Sequence, residues 1–257
     1  MARALLTNWA SSTHIDADFT VYKPSPLIPS LQNKDNVHYK SHVEPDNTPD
    51  HDTVIFCVSP QIMGDVIRQY KPLLSPQTLV MTIAAGLKME WYENQLSSTQ
   101  PIIRTMPNTP VAVGHGMTIG YSNQNVTPDM QKHAEILFQA TGKFEWIDEE
   151  DHINIATSIC GSGPAYLFYF VESMTRAGID IGLPEDLSLR LATETVIGSC
   201  KLLEEDRESS IQTLRENVTS KGGGTEAALK VMMDGRWDNL FSEVLHAAKK
   251  RYAELAS

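Results

Sequence analysis

The sequence predicts an α/β domain with a parallel sheet over residues 1–150, followed by an all-helical domain over residues 151–257. Three features carry this reading. Apolar runs of strand length at 53–58, at 79–84 and from 102 lack polar alternation, as strands covered on both faces do. Helical patterns separate those runs, the alternation that builds a doubly wound sheet. Beyond about Asp148 the strand-like runs stop, and helical periodicity fills 152–182, 184–206, 209–217 and 225–255.

Ala2, Ala4, Leu5, Leu6 and Trp9 are apolar at helical spacing, so residues 1–10 read as the later part of a helix. Phe19, Thr20, Val21 and Tyr22 form a short strand, stopped by Lys23-Pro24-Ser25-Pro26. Residues 27–52 are polar and proline-broken, with room for one weak helix and a short strand near 37–39. Ser59-Pro60 ends the strand at 53–58, and Ile62, Met63, Val66, Ile67 and Tyr70 mark the next helix. Ala85-Gly86 turns the strand at 79–84 into a helix over 89–96. Ile102, Ile103 and Arg104 begin a strand that runs into Met106-Pro107-Asn108-Thr109-Pro110. Residues 117–121 and 143–147 are further strands, flanking a helix over 128–141.

Composition excludes several classes of function. With 257 residues the chain exceeds the ~100–200 of one ordinary domain. Its 21 basic and 32 acidic residues give a net charge of -11, which repels phosphate backbones and argues against nucleic acid as a partner. A dinucleotide cofactor is anionic too, so local amides and helix ends must hold it. Cys57, Cys160 and Cys200 lie far apart in apolar runs, the pattern of free thiols in a reducing compartment. The histidines show no ligand spacing, so no metal is expected. No run approaches the ~18 apolar residues of a membrane span, so no membrane partner is expected. The first residues lack a signal-peptide core, although one early arginine and several Ser and Thr residues hint at a transit peptide.

Four segments stand out chemically. Asn217-Val218-Thr219-Ser220-Lys221-Gly222-Gly223-Gly224-Thr225 precedes a helix expected to start at or just after Thr225. Its glycines admit close backbone approach, and a helix start offers N–H groups to a carboxylate or phosphate. Spacing alone leaves it either a ligand loop or a flexible connection with Thr225 as an N-cap. Arg104-Thr105-Met106-Pro107-Asn108-Thr109-Pro110 follows a strand, so it sits at the sheet edge where α/β folds bind ligands, or serves as a rigid connector. Ala84-Ala85-Gly86 and Cys57-Val58-Ser59-Pro60 read on their own as ordinary strand-to-helix turns. Gly161-Ser162-Gly163-Pro164 should kink the helix that contains it and favours a packing role.

Together these segments resemble the pyrroline-5-carboxylate reductase family. The resemblance spans the chain, strongly from Thr53 onward, and includes Ile83-Ala84-Ala85-Gly86, Arg104 to Pro110, Gly161-Ser162-Gly163-Pro164-Ala165-Tyr166, Gly182-Leu183-Pro184 and the 217–225 loop. It implies a Rossmann-like domain joined to an all-α dimerisation domain, in homodimers that can build decamers. The implied reaction is hydride transfer from NADPH or NADH to 1-pyrroline-5-carboxylate, giving L-proline. The resemblance makes Thr225 the catalytic residue, hydrogen-bonded to the ring nitrogen. It places Glu150, Ser220, Gly222, Gly223 and Gly224 with Thr225 around the substrate. Ser25, Val58, Ser59, Pro60, Ile83, Ala84, Ala85, Met106, Pro107, Asn108 and Asn217 would line the cofactor. A cytoplasmic address is implied, with a mitochondrial one left open.

Three departures accompany the resemblance. Residues 1–5 align with the helix after the family's glycine loop. About ten residues of the pattern, a central strand and the pyrophosphate cradle, therefore have no counterpart, and no GxGxxG occurs. Weakened cofactor binding and an unpaired gap in the sheet are the expectation. Ser59 stands where the family usually has lysine, and Lys221 where proline is common.

Overall fold

The computed structural model describes residues 1–25, 29–32, 34–43 and 51–255. Pro26, expected to help stop the first strand, lies outside them. The described residues form two compact units, Met1–Ser162 together with the chain from Ala248 onward, and Gly163–Ala247.

The first unit is built on a five-stranded sheet in the order β3 (Thr53–Phe56), β4 (Leu79–Thr82), β5 (Ile102–Pro107), β6 (Gly116–Ser122), β7 (Gly142–Trp146). Helix α1 (Ala2–Trp9), α3 (Pro60–Tyr70), α4 (Met89–Gln95) and α5 (Pro128–Gln139) accompany it. The strand at 53–58 thus ends two residues earlier than its apolar run. β1 (Phe19–Tyr22) and β2 (Val37–Lys40) form a separate parallel pair, with the short α2 (Pro29–Gln32) between them in sequence. β3 is one edge of the larger sheet, and among the described residues the β1–β2 pair is not hydrogen-bonded to it.

Every residue of β4 is buried, and its side chains alternate between two cores. Leu79 and Met81 join Leu5, Trp9, Leu137 and Phe138 from α1 and α5. Val80 joins Met63, Ile67, Met89 and Tyr92 from α3 and α4. This two-sided cover is why the strand reads as a continuous apolar run. The indole of Trp9 donates to the Leu137 carbonyl at 2.7 Å, pinning α1 to α5.

One pairing departs from the expected parallel sheet: β5 and β6 are antiparallel. Only residues 108–115 connect them, fewer than the ~12 a parallel crossover requires. The connection is a tight turn over Thr109–Val113, closed by Gly114 in the left-handed region.

The expected kink at the Gly-Ser-Gly-Pro segment is a π turn. α6 (His152–Ala156) passes into Thr157–Gly161, where the Ser162 N–H reaches back five residues to the Thr157 carbonyl, and α7 (Gly163–Asp180) continues beyond it.

The second unit holds α7, α8 (Glu185–Glu205), α9 (Ile211–Asn217), α10 (Gly224–Met232) and most of α11 (Arg236–Leu255). The single helix expected over 225–255 is two helices, because Gly235 takes φ +91 and breaks the ladder between them. Of these helices only α8 has buried residues, Ser188 and Ala192. Phe168, Ile181 and Ile211 are more than half exposed. So much uncovered apolar surface marks an association face.

Candidate active site

The parallel register of β3, β4 and β5 brings three predicted segments to one sheet edge. Val58, Ser59 and Pro60 follow β3. Ile83, Ala84 and Ala85 follow β4. Met106, Pro107 and Asn108 close β5. Ser59 is exposed and extended, with φ -69 and ψ 151, at the N-cap of α3. It makes no side-chain cap bond, so the first turn of α3 keeps uncapped N–H groups at that edge. Ala84 and Ala85 present only methyl groups. Ser25 lies at an exposed bend after β1. Small side chains, a free hydroxyl and an open helix start suit an anionic dinucleotide passing close to the backbone. No glycine-rich phosphate loop accompanies them in the sequence.

Asn108 is more committed than the sequence suggests. Its Oδ1 accepts from the Met117 N–H at 2.8 Å, and its Nδ2 donates to the Cys160 carbonyl at 3.0 Å. The amide thus ties the end of β5 to β6 and to the π turn.

Glu150 is also engaged. Its Oε1 accepts from the Met89 N–H at 2.5 Å and pairs with Arg104 Nη1. Sequence reasoning quoted Arg104 within its motif and gave it no role. The available signal was a lone cation in an apolar strand, which requires a buried partner. The same reasoning missed Thr82, whose hydroxyl lies 3.0 Å from the Tyr92 hydroxyl and accepts from the Ala84 N–H at 3.2 Å. Burial raises the Tyr92 phenol above its ordinary pKa, while the Thr82 hydrogen bond and the Arg104 charge pull it back.

Cys57 lies just past β3. Burial pushes its thiol up to about 12, against the opposing pull of the positively charged amino terminus. A half-buried thiol held neutral is a poor nucleophile. Treatment of native protein with iodoacetamide at pH 8 should therefore alkylate exposed Cys200 well before half-buried Cys57. Equal labelling rates by mass spectrometry would contradict this.

In the helical unit, Asn217 ends α9 and Ser220 is exposed in the loop that follows. Gly222 takes φ +75 and Gly223 is the extended N-cap of α10. The helix begins at Gly224, so Thr225 is inside the first turn and is not its cap. No side chain caps this helix start. The Gly222 N–H already has a partner, the Glu226 carboxylate at 2.6 Å. The exposed Thr225 hydroxyl and the uncapped amides of the first turn remain available to a carboxylate-bearing ligand.

Residues 150–255 match the family described as pyrroline-5-carboxylate reductase dimerisation. A pyrroline-5-carboxylate reductase of Pseudomonas aeruginosa is 36% identical over 207 residues, covering 80% of this chain and 76% of that protein. The structure of a pyrroline-5-carboxylate reductase from Coxiella burnetii superposes with TM-score 0.90 at 32% identity, covering 100% of this chain and 95% of that one. A Plasmodium falciparum pyrroline carboxylate reductase with NADP bound superposes with TM-score 0.82 at 30% identity, over 99% and 94% of the two chains.

Proposed function

The chain belongs to the pyrroline-5-carboxylate reductase family, and from that premise we propose that it reduces 1-pyrroline-5-carboxylate to L-proline with NADPH or NADH. The observation that carries the reading is the loop of Gly222, Gly223, Gly224 and Thr225, which opens α10 with uncapped amides beside a free hydroxyl.

The substrate is a cyclic imine bearing a carboxylate. Its carboxylate suits the amides of Gly224 and Thr225, with Ser220 adding a hydroxyl, while the Gly223 N–H is already given to the Ser220 carbonyl at 3.0 Å. As hydride reaches the imine carbon, the C=N electron pair moves to the ring nitrogen, which takes up a proton drawn from solvent and needs a hydrogen-bond partner as it does so. The Thr225 hydroxyl serves there. A bound reduced nicotinamide supplies the hydride. The residues that hold the dinucleotide are Ser25, Val58, Ser59, Pro60, Ile83, Ala84 and Ala85, with Met106, Pro107 and Asn108 shaping the end of β5 and Asn217 adding a further contact. Glu150, expected near the substrate, acts instead through the backbone it anchors, because its Oε1 is already shared by Arg104 and the Met89 N–H.

Self-association follows from the dimerisation match and the uncovered apolar helices; we take the unit to be a homodimer, with a decamer as its larger form. Three free thiols favour a reducing compartment such as the cytoplasm.

The test is consumption of NADPH by the purified chain in the presence of 1-pyrroline-5-carboxylate, with L-proline as product. Ala85→Glu, which sets a carboxylate against the dinucleotide, should weaken NADPH binding at least ~tenfold by charge repulsion at close range. Turnover and affinity unchanged in that variant would remove Ala85 from the cofactor site. No imine reduction by the parent chain would overturn the assignment.

A further inference from the structure

The turn from Ile83 to Lys88 is gripped at both ends by groups from or behind β5. At its start, the Thr105 hydroxyl donates to the Thr82 carbonyl at 2.9 Å, and the Thr82 hydroxyl accepts from the Ala84 N–H. At its finish, the Met89 N–H donates to Glu150, which Arg104 holds in place. Arg104 is in register with Thr82 on the neighbouring strand and pairs with the Glu150 that holds the far end of the turn. Between these anchors, Gly86 takes φ +93, and a Cβ there would lie 2.7 Å from the Leu255 carbonyl.

The Arg104 side chain is 5% exposed and Glu150's is 23% exposed. Arg104 Nε is buried and has no hydrogen-bond partner among the described residues. Such a pair is a poor choice for stability alone: desolvation offsets much of the attraction, and well-packed apolar side chains do as well or better. What an ion pair supplies beyond packing is a fixed direction. Here the carboxylate is aimed at one backbone N–H.

We propose that Arg104 and Glu150 are positioning residues for cofactor binding: through the Met89 N–H they set the backbone path of the turn that carries Ile83, Ala84 and Ala85. The proposal rests on the reading that the dinucleotide passes over those three residues. Displacements of an ångström at such a surface alter binding and turnover strongly.

The test separates the N–H from the side chain that accompanies it. Met89→Ala and Met89→Pro both remove the buried thioether, but only proline removes the donor. Proline is compatible with this site, because Met89 is the first residue of α4 and Lys88 before it is extended, with φ -79 and ψ 160. NADPH affinity, read by fluorescence titration of the full chain, should be about tenfold weaker in Met89→Pro than in Met89→Ala, the worth of one hydrogen bond to a charged acceptor. Arg104→Lys should raise the KM for NADPH several-fold and leave the KM for the imine within about twofold, a split that general loss of folded protein would not produce. Arg104→Met should weaken NADPH binding further than Arg104→Lys. Equal NADPH affinities in folded Met89→Pro and Met89→Ala would overturn the proposal, and that pair decides the matter even if Arg104→Met does not fold. Ala85→Glu serves as the control. If it binds NADPH as tightly as the parent, the cofactor reading itself fails and the positioning role falls with it.

Discussion

Thr225→Ala should reduce kcat for imine reduction by about 10²-fold, the usual loss when one well-placed hydrogen-bond donor or proton-transfer group is removed. The fold should tolerate the change. Thr225 is exposed, lies within the first turn of α10, and does not cap the helix, since Gly223 occupies the N-cap position. Alanine is also the better helix former. Thermal stability should therefore move by less than ~0.5 kcal/mol, as for other surface substitutions. Thr225→Ser keeps the hydroxyl and should recover most of the rate. The decisive measurement is steady-state NADPH oxidation across imine concentrations for the three proteins. Turnover by Thr225→Ala within about twofold of the parent would remove Thr225 from the reaction, because a donor essential to the transition state cannot be lost at so small a cost.

Gly142→Ala should produce the largest loss of stability expected from any single methyl group in the first unit. Gly142 opens β7 with φ +146 and is in register with Gly116 of β6. A Cβ on Gly142 would lie 2.0 Å from the Gly116 carbonyl oxygen and 2.4 Å from its nitrogen. Neither atom belongs to a side chain that can rotate away. The parallel pairing must open at its first residues, where the Gly116 N–H donates to the Thr141 carbonyl at 2.9 Å. Backbone strain and lost pairing together should cost more than ~3 kcal/mol. Urea denaturation would register this as a lower midpoint with little change in slope. A midpoint within error of the parent's would show that β6 and β7 separate without cost.

The strands with two covered faces are legible in the sequence. A run such as Leu79, Val80, Met81 and Thr82 has few alternatives to a buried strand, and all four residues are buried. The loop before α10 was equally visible, because consecutive glycines followed by threonine announce a helix start. Boundaries were less secure. The helix read as 225–255 conceals a break at Gly235, since one glycine among strong helix formers does not disclose its sign of φ. The antiparallel turn between β5 and β6 was implicit in a short connection, yet the apolar runs on either side read alike in both directions.

Sequence by itself determined the order of strands and helices, the change from α/β to all-helical architecture, and the family to which the residues belong. Each of these is written in local periodicity, turn chemistry and motif order, all of which operate over a few neighbouring residues. Tertiary structure alone decided what Glu150 and Asn108 do with their polar atoms. Glu150 finds Met89 61 residues away and Arg104 46 residues away, and Asn108 finds Cys160 at a separation of 52. Hydrogen-bond partners at such distances are chosen by how strands and helices pack, and no local pattern in the chain encodes that choice.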